Sequence, residues 1–122
     1  MTFTIAQTKT TPFADFRDGY LVVRGKSVPF DRPEIYDIIE DRLKIYFKNP
    51  EKHTYIDFVF SALNAVSKRY VVSTFKHLEK INNKGIDINI NWFYQPDNED
   101  IRELGEICKS YFKMNIQLKV II

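Results

Sequence analysis

The chain has 122 residues, which at roughly 100 to 200 residues per domain makes one domain and leaves no room for a second core. Apolar residues are 44% and charged residues 28%, excluding a disordered chain, and a net charge of +2 excludes a global field that would draw it onto nucleic acid or anionic lipid. The single cysteine, Cys108, leaves no intrachain disulfide; the start MTFTIAQTKTTPF lacks a signal-peptide core, and no apolar run approaches the ~20 residues that span a bilayer. The expectation is a cytoplasmic protein without membrane insertion.

A first strand is expected around Phe3 to Gln7. Phe13 to Phe16 and Tyr20 to Arg24 flank Arg17-Asp18-Gly19, whose Asp-Gly pair predicts a hairpin. Gly25-Lys-Ser-Val-Pro29 reads as a turn. Asp31 then caps a helix, with Glu34 completing a capping box and Pro33 in the first turn. That helix should run to about Lys48, stopped by Asn49-Pro50. Its buried stripe is Tyr36, Ile39, Leu43 and Tyr46, widened by Ile35, Ile38 and Ile45.

From there strands and helices alternate. Thr54 to Phe60 suits a largely buried strand, and a second helix is predicted from near Ser67 to Asn83, ended by Gly85. Ile86, Ile88, Ile90, Trp92 and Tyr94 alternate with Asp87, Asn89, Asn91 and Phe93, the pattern of a strand with one apolar face. Pro96 and Asp97 open a third helix, where Asp97, Glu99 and Asp100 suit the positive end of its dipole. Ile101, Leu104, Cys108 and Tyr111 form its buried stripe, and a last strand puts Ile116, Leu118, Val120 and Ile122 on one face. The fold class that follows is α/β: a mixed sheet of five to six strands with three helices, antiparallel at the hairpin and parallel thereafter.

Catalytic motifs are sparse. Gly25-Lys26-Ser27 resembles the tail of a phosphate-binding loop, but Tyr20 stands where that loop needs glycine and Pro29 interrupts the helix that should follow. His53, His77 and Cys108 lack metal-ligand spacing, and no nucleophile motif occurs, so neither a cofactor nor a metal is expected. Asp97, Glu99, Asp100 and Glu103 could form an acid-base cluster in a small enzyme. Their place in the first two turns of a helix is accounted for by the dipole.

Charge is uneven: Lys68 to Lys84 holds five basic residues and one acid, whereas Asp97 to Lys109 holds five acids and two basic residues. Such a contrast suits recognition of an oppositely charged protein. Lys68, Arg69, Lys76, Lys80 and Lys84 without a wider basic surface make a poor nucleic-acid footprint. Ser61 to Lys68 joins a strand to a helix at the end of the sheet where partners dock in open α/β folds.

Thr11-Pro12 leading to Phe16, Leu21-Val-Val-Arg-Gly-Lys-Ser-Val-Pro29, Glu34-Ile-Tyr36, and Ile90-Asn-Trp-Phe-Tyr94 followed by Asp97-Asn-Glu-Asp-Ile101 together resemble the SiaC family of bacterial regulatory phosphoproteins. The resemblance covers almost the whole chain. It implies a STAS-like fold and a non-enzymatic partner-switching role in biofilm regulation and cyclic-di-GMP signalling. In the family a threonine between strand and helix is phosphorylated by a dedicated kinase and dephosphorylated by a PP2C-type phosphatase. The unmodified form binds and activates a diguanylate cyclase.

This chain departs from the pattern at that threonine. Counting from the preceding strand puts its position at Leu63, and counting back from Lys68 puts it at Asn64, the segment being one residue longer. Neither side chain accepts phosphate, which leaves Ser67 and Ser61 as the phosphorylation candidates. A phosphate on Ser67 would meet a helix N-terminus and Lys68 or Arg69. Asn64, Ser67, Lys68, Arg69 and Lys76 are the partner-binding candidates. A constitutive interaction module without phosphoregulation is the alternative, and the oligomeric state is open.

Overall fold

The computed structural model describes residues 2–29 and 34–122. In chain order the elements are β1 (Phe3–Ile5), β2 (Phe13–Arg17), β3 (Tyr20–Ser27), α1 (Glu34–Lys48), β4 (His53–Leu63), α2 (Ala65–Asn82), β5 (Asp87–Tyr94), α3 (Glu99–Tyr111) and β6 (Asn115–Val120). The expected α/β class and the mixed sheet with three helices are what the structure has. The expected capping residues Asp31 and Pro33 lie outside the described residues.

All six strands join one sheet in the order β1-β2-β3-β4-β5-β6. β1, β2 and β3 pair antiparallel, and β3 through β6 pair parallel. Three successive crossovers therefore step one strand in the same direction, and right-handed connections of that kind lay all three helices on one face. Burial agrees. Ala14, Phe16, Leu21, Val23, Ile56, Phe58, Phe60, Ile88, Ile90, Trp92 and Ile116 are buried beneath the apolar stripes of α1, α2 and α3. The opposite face carries a polar network, in which Tyr20 Oη donates to Asp57 Oδ2 at 2.6 Å and Asn91 Nδ2 to Asp57 Oδ1 at 2.9 Å.

Aromatic rings fill the centre. Phe75 of α2 meets Phe58, Trp92 and Phe112 at centroid separations of 5.3, 6.0 and 5.8 Å. The Trp92 indole is fully buried, and its Nε1 donates to the Ile101 carbonyl at 2.9 Å, satisfying the one polar atom it brings inside.

Several burial expectations are corrected. Ile38 and Ile45 are exposed on the flank of α1 toward β1, a flank that no further helix covers among the described residues; there Arg42 lies 4.8 Å from the Phe3 ring. Tyr111 is exposed because the stripe of α3 rotates off the sheet by its last turn, where Phe112 takes the core position. In β6, burial fades from Ile116 through Leu118 to exposed Val120 and Ile122, as expected of a strand at a sheet edge. Gly25-Lys26-Ser27 is not a turn but the end of β3.

Candidate partner-binding site at the start of helix α2

β4 is longer than its sequence pattern predicts, and the excess changes the site. Gly25 pairs with Phe60 but Lys26 pairs with Ala62, so Ser61 is passed over as the extra residue of a bulge. Gly25, opposite, has φ 108°, a conformation that favours glycine. The bulge also resets the alternation, because Phe60 and Leu63 are both buried although three residues apart. Ser61 and Leu63 thus belong to the strand, and the link to α2 is Asn64 alone.

Asn64 is the N-cap of α2, with extended φ −88° and ψ 177°. Its Oδ1 accepts from Ser67 N at 2.9 Å, and its Nδ2 donates to the Pro29 carbonyl at 2.7 Å. Its backbone N–H donates to the Ser27 carbonyl at 3.2 Å. One amide thereby caps the helix and fastens it to the end of β3. The helix starts two residues earlier than predicted because Asn64 and not Ser67 makes the cap.

Ser67 points inward and is fully buried. Its Oγ donates to the Ser27 carbonyl at 2.7 Å and lies 3.0 Å from Ser27 Oγ, which in turn bonds Tyr36 Oη. The expectation is a Ser67 phosphate facing Lys68 or Arg69; in this structure the hydroxyl faces the core, and a phosphate there would have to displace Ser27 and Tyr36. Burial raises the Tyr36 phenol above its ordinary value, partly offset by its bonds to Ser27 and Ser67. The Tyr36 ring stacks on Tyr70 of α2 at 4.8 Å and 12°. Among the described residues no buried side-chain polar atom is left unpaired.

Ser61 differs from Ser67. It is exposed, and its carbonyl accepts from Asn98 Nδ2 at 3.0 Å. Asn98 is itself the N-cap of α3, its Oδ1 accepting from Ile101 N at 3.2 Å. The starts of α2 and α3 therefore converge on the end of β4. Lys68 Nζ bridges them by pairing with Asp100 Oδ1 at 2.6 Å.

Arg69 and Lys76 are exposed, and with Lys68, Val72 and Ser73 they line an open cavity of about 430 Å³ on α2. Of the five partner-binding candidates, the structure brings Lys68, Arg69 and Lys76 to one surface, spends the Asn64 amide on the cap and the Pro29 carbonyl, and turns Ser67 inward. In the acidic segment, Asp97 precedes the cap, Glu99 and Asp100 open α3, and Glu103 stands one turn on. Among the described residues no group of His, Cys, Asp and Glu is disposed to hold a metal ion. Among them, too, no helix is long and apolar enough to cross a membrane.

Sequence reasoning missed Ser27, Tyr36 and Asn98 as parts of this site. Ser27 and Ser67 are 40 positions apart, and only the pairing of β3 with β4 brings them together. Asn98 carried a readable signal, an Asn immediately before two acids and an apolar stripe.

The family model for SiaC family regulatory phosphoproteins matches residues 5–121. An uncharacterised protein of Pseudomonas aeruginosa strain UCBPP-PA14 is 25% identical over 104 residues, covering 84% of this chain and 82% of that protein. Apo-SiaC from Pseudomonas aeruginosa superposes with a TM-score of 0.85 at 20% identity, covering 98% of each chain. A second structure of SiaC from the same organism gives a TM-score of 0.89 at 19% identity, covering 99% of each chain. A third, solved as the complex of diguanylate cyclase SiaD with its activator SiaC, matches at a TM-score of 0.86 and 21% identity, covering 98% of this chain and 99% of that one.

Proposed function

This chain belongs to the SiaC family, and from that premise we propose that it is a cytoplasmic, non-enzymatic signalling adaptor that binds and activates a diguanylate cyclase in biofilm regulation. The observation that carries the reading is the fold shared over nearly the full length with a SiaC complexed to a cyclase. Contact is made through the outer surface of α2, where Lys68, Arg69 and Lys76 stand together just beyond the Asn64 cap. Of the two positions that match the family's phosphothreonine, Leu63 and Asn64, the second is supported by the burial of Leu63 and by the bulge at Ser61, which takes up a one-residue excess upstream.

Control by a kinase and a PP2C-type phosphatase needs a hydroxyl that an enzyme can reach. Of the two candidate serines, Ser61 has that exposure, and its modification would place a dianion beside the starts of α2 and α3. A second reading, a constitutive adaptor without phosphoregulation, is favoured by Asn64 itself, whose amide makes the cap and cannot be esterified.

The test has two parts. Turnover of the host's diguanylate cyclase is measured with and without the purified protein; no stimulation and no complex would sink the adaptor reading. Phosphopeptide mapping of Phe58 to Tyr70 in protein recovered from the host, with and without phosphatase treatment, separates the two modes of control. Phosphate on Ser61 supports the switch, and an unmodified segment supports the constitutive adaptor.

A further inference from the structure

α2 and α3 return antiparallel to parallel strands and so run side by side in the same direction. Three contacts fix their relative height: Lys68 with Asp100 at 2.6 Å, Phe75 with Phe112 at 5.8 Å between ring centroids, and Glu79 Oε2 accepting from Lys113 N at 2.6 Å. Helical spacing then assigns the residues flanking the groove. On α2, Val72 and Lys76 follow Lys68 at steps of four. On α3, Glu103, Ile107 and Tyr111 follow Asp100 on the stripe turned toward α2.

Two features of this surface are unlike ordinary solvated helix faces. Ile107 and Tyr111 are 60% and 71% exposed on successive turns of the same stripe, beside half-buried Val72. The charges are also segregated, with four basic residues and one acid on α2 and four acids and two basic residues on α3.

We propose that the α2/α3 face is a self-complementary surface on which a second copy of this chain docks, about a twofold axis running along the groove. Such an axis preserves height along the helices and exchanges left for right. It therefore lays α2 of each copy over α3 of the other, and basic meets acidic twice. Ile107 and Tyr111, which flank the groove, come close to the axis and meet their own counterparts in a shared apolar centre. Arg69, one residue beyond Lys68, stands level with the turn from Asp100 to Glu103 and so faces Glu103 of the second copy. The α1 side of α2 offers no such centre, since the exposed Ile38 and Ile45 lie on the opposite flank of α1.

Self-pairing covers Arg69 and Lys76. A copy paired in this way cannot present those residues to a cyclase, so self-association would compete with activation. That consequence rests on the function proposed above, and the pairing itself does not.

The experiment is analytical ultracentrifugation of the full chain and of two variants, Arg69→Glu and Glu103→Lys, over a wide concentration range, with thermal melts to verify folding. The wild type is expected to dimerise, more weakly at high salt. Each variant alone sets like charges against each other twice and should dissociate with a constant at least about tenfold higher. An equimolar mixture of the two should restore the dimer, because one contact is then native and the other is reversed but still complementary. Ile107→Glu should abolish pairing in either background. A wild type that stays monomeric, a dimer indifferent to both charge changes, or a mixture no tighter than its components would each overturn the proposal. Cyclase turnover, read on separate samples, bears on the adaptor reading alone.

Discussion

A Cβ atom on Gly105 would stand 2.3 Å from Cδ1 of Trp92. The helix and the indole are in contact with no space for a methyl group, and Trp92 cannot retreat, since it is fully buried and its Nε1 is held by the Ile101 carbonyl. Gly105→Ala should therefore lower stability by about 1–3 kcal/mol, the cost of overpacking. In an exposed helix the same exchange would gain up to about 1 kcal/mol. Thermal denaturation of the variant decides the sign, and an unchanged or raised midpoint would refute the close packing.

The two candidate serines should respond in opposite ways to a negative side chain. Ser67→Asp places a carboxylate beside Ser27 and Tyr36 at a fully buried position, and should cost at least about 1–3 kcal/mol, the penalty for a buried polar group poorly paired. Ser61→Asp, exposed at the bulge, should change stability by no more than about 0.5 kcal/mol. Urea unfolding of the pair is the measurement; equal destabilisation would show that the two hydroxyls do not differ in burial.

Alkaline pH should weaken the sheet through Tyr20. Its phenol donates to Asp57, and that bond, with desolvation and the carboxylate charge, pushes its pKa up to about 12 from the ordinary 10.0. The folded state thus favours the neutral phenol. The contribution is fully present below pH 10 and is lost as pH rises from 10 toward 12. Because Tyr20 is partly exposed the effect is modest. Tyr20→Phe should flatten the fall in urea midpoint across that window, and the raised phenol of Tyr36 should leave a residual slope. An identical slope in the variant would exclude the Tyr20–Asp57 bond as its source.

Cys108 should be chemically silent while the protein is folded. Burial alone pushes its thiol up to about 12, and the nucleophilic thiolate is then absent at neutral pH. A chromogenic disulfide reagent should label it only as fast as the protein opens, and at once in denaturant. Rapid labelling of the native protein would contradict the burial.

What the sequence made legible depended on how far each cause lies along the chain. The alternation in Ile88-Asn-Ile90-Asn-Trp92 is set by immediate neighbours, and the sequence shows it directly. The bulge at Ser61 is not shown there, because it is set by the pairing of β4 with Gly25 of another strand. Without it Thr54 to Phe60 reads as a complete strand and the following hydroxyls read as part of a loop. The same reason hides Ser67, whose burial depends on Ser27, and Gly105, whose necessity depends on Trp92. Helical periodicity also assigned Ile38, Ile45 and Tyr111 to the interior; it counts apolar positions without knowing how many neighbours a helix has.

Each strand of this sheet hydrogen-bonds to the one synthesised just before it, from β1 to β6. A chain emerging from the ribosome can therefore add strands one at a time to an existing edge, with no strand waiting for a partner not yet made. Every growing edge is completed by the next crossover unit, and the loop to be closed at each step never exceeds one helix and its connections. Assembly in the order of synthesis is built into the topology, and β6, which follows the other strands of the sheet in the chain, settles onto an edge that β1 to β5 have already formed.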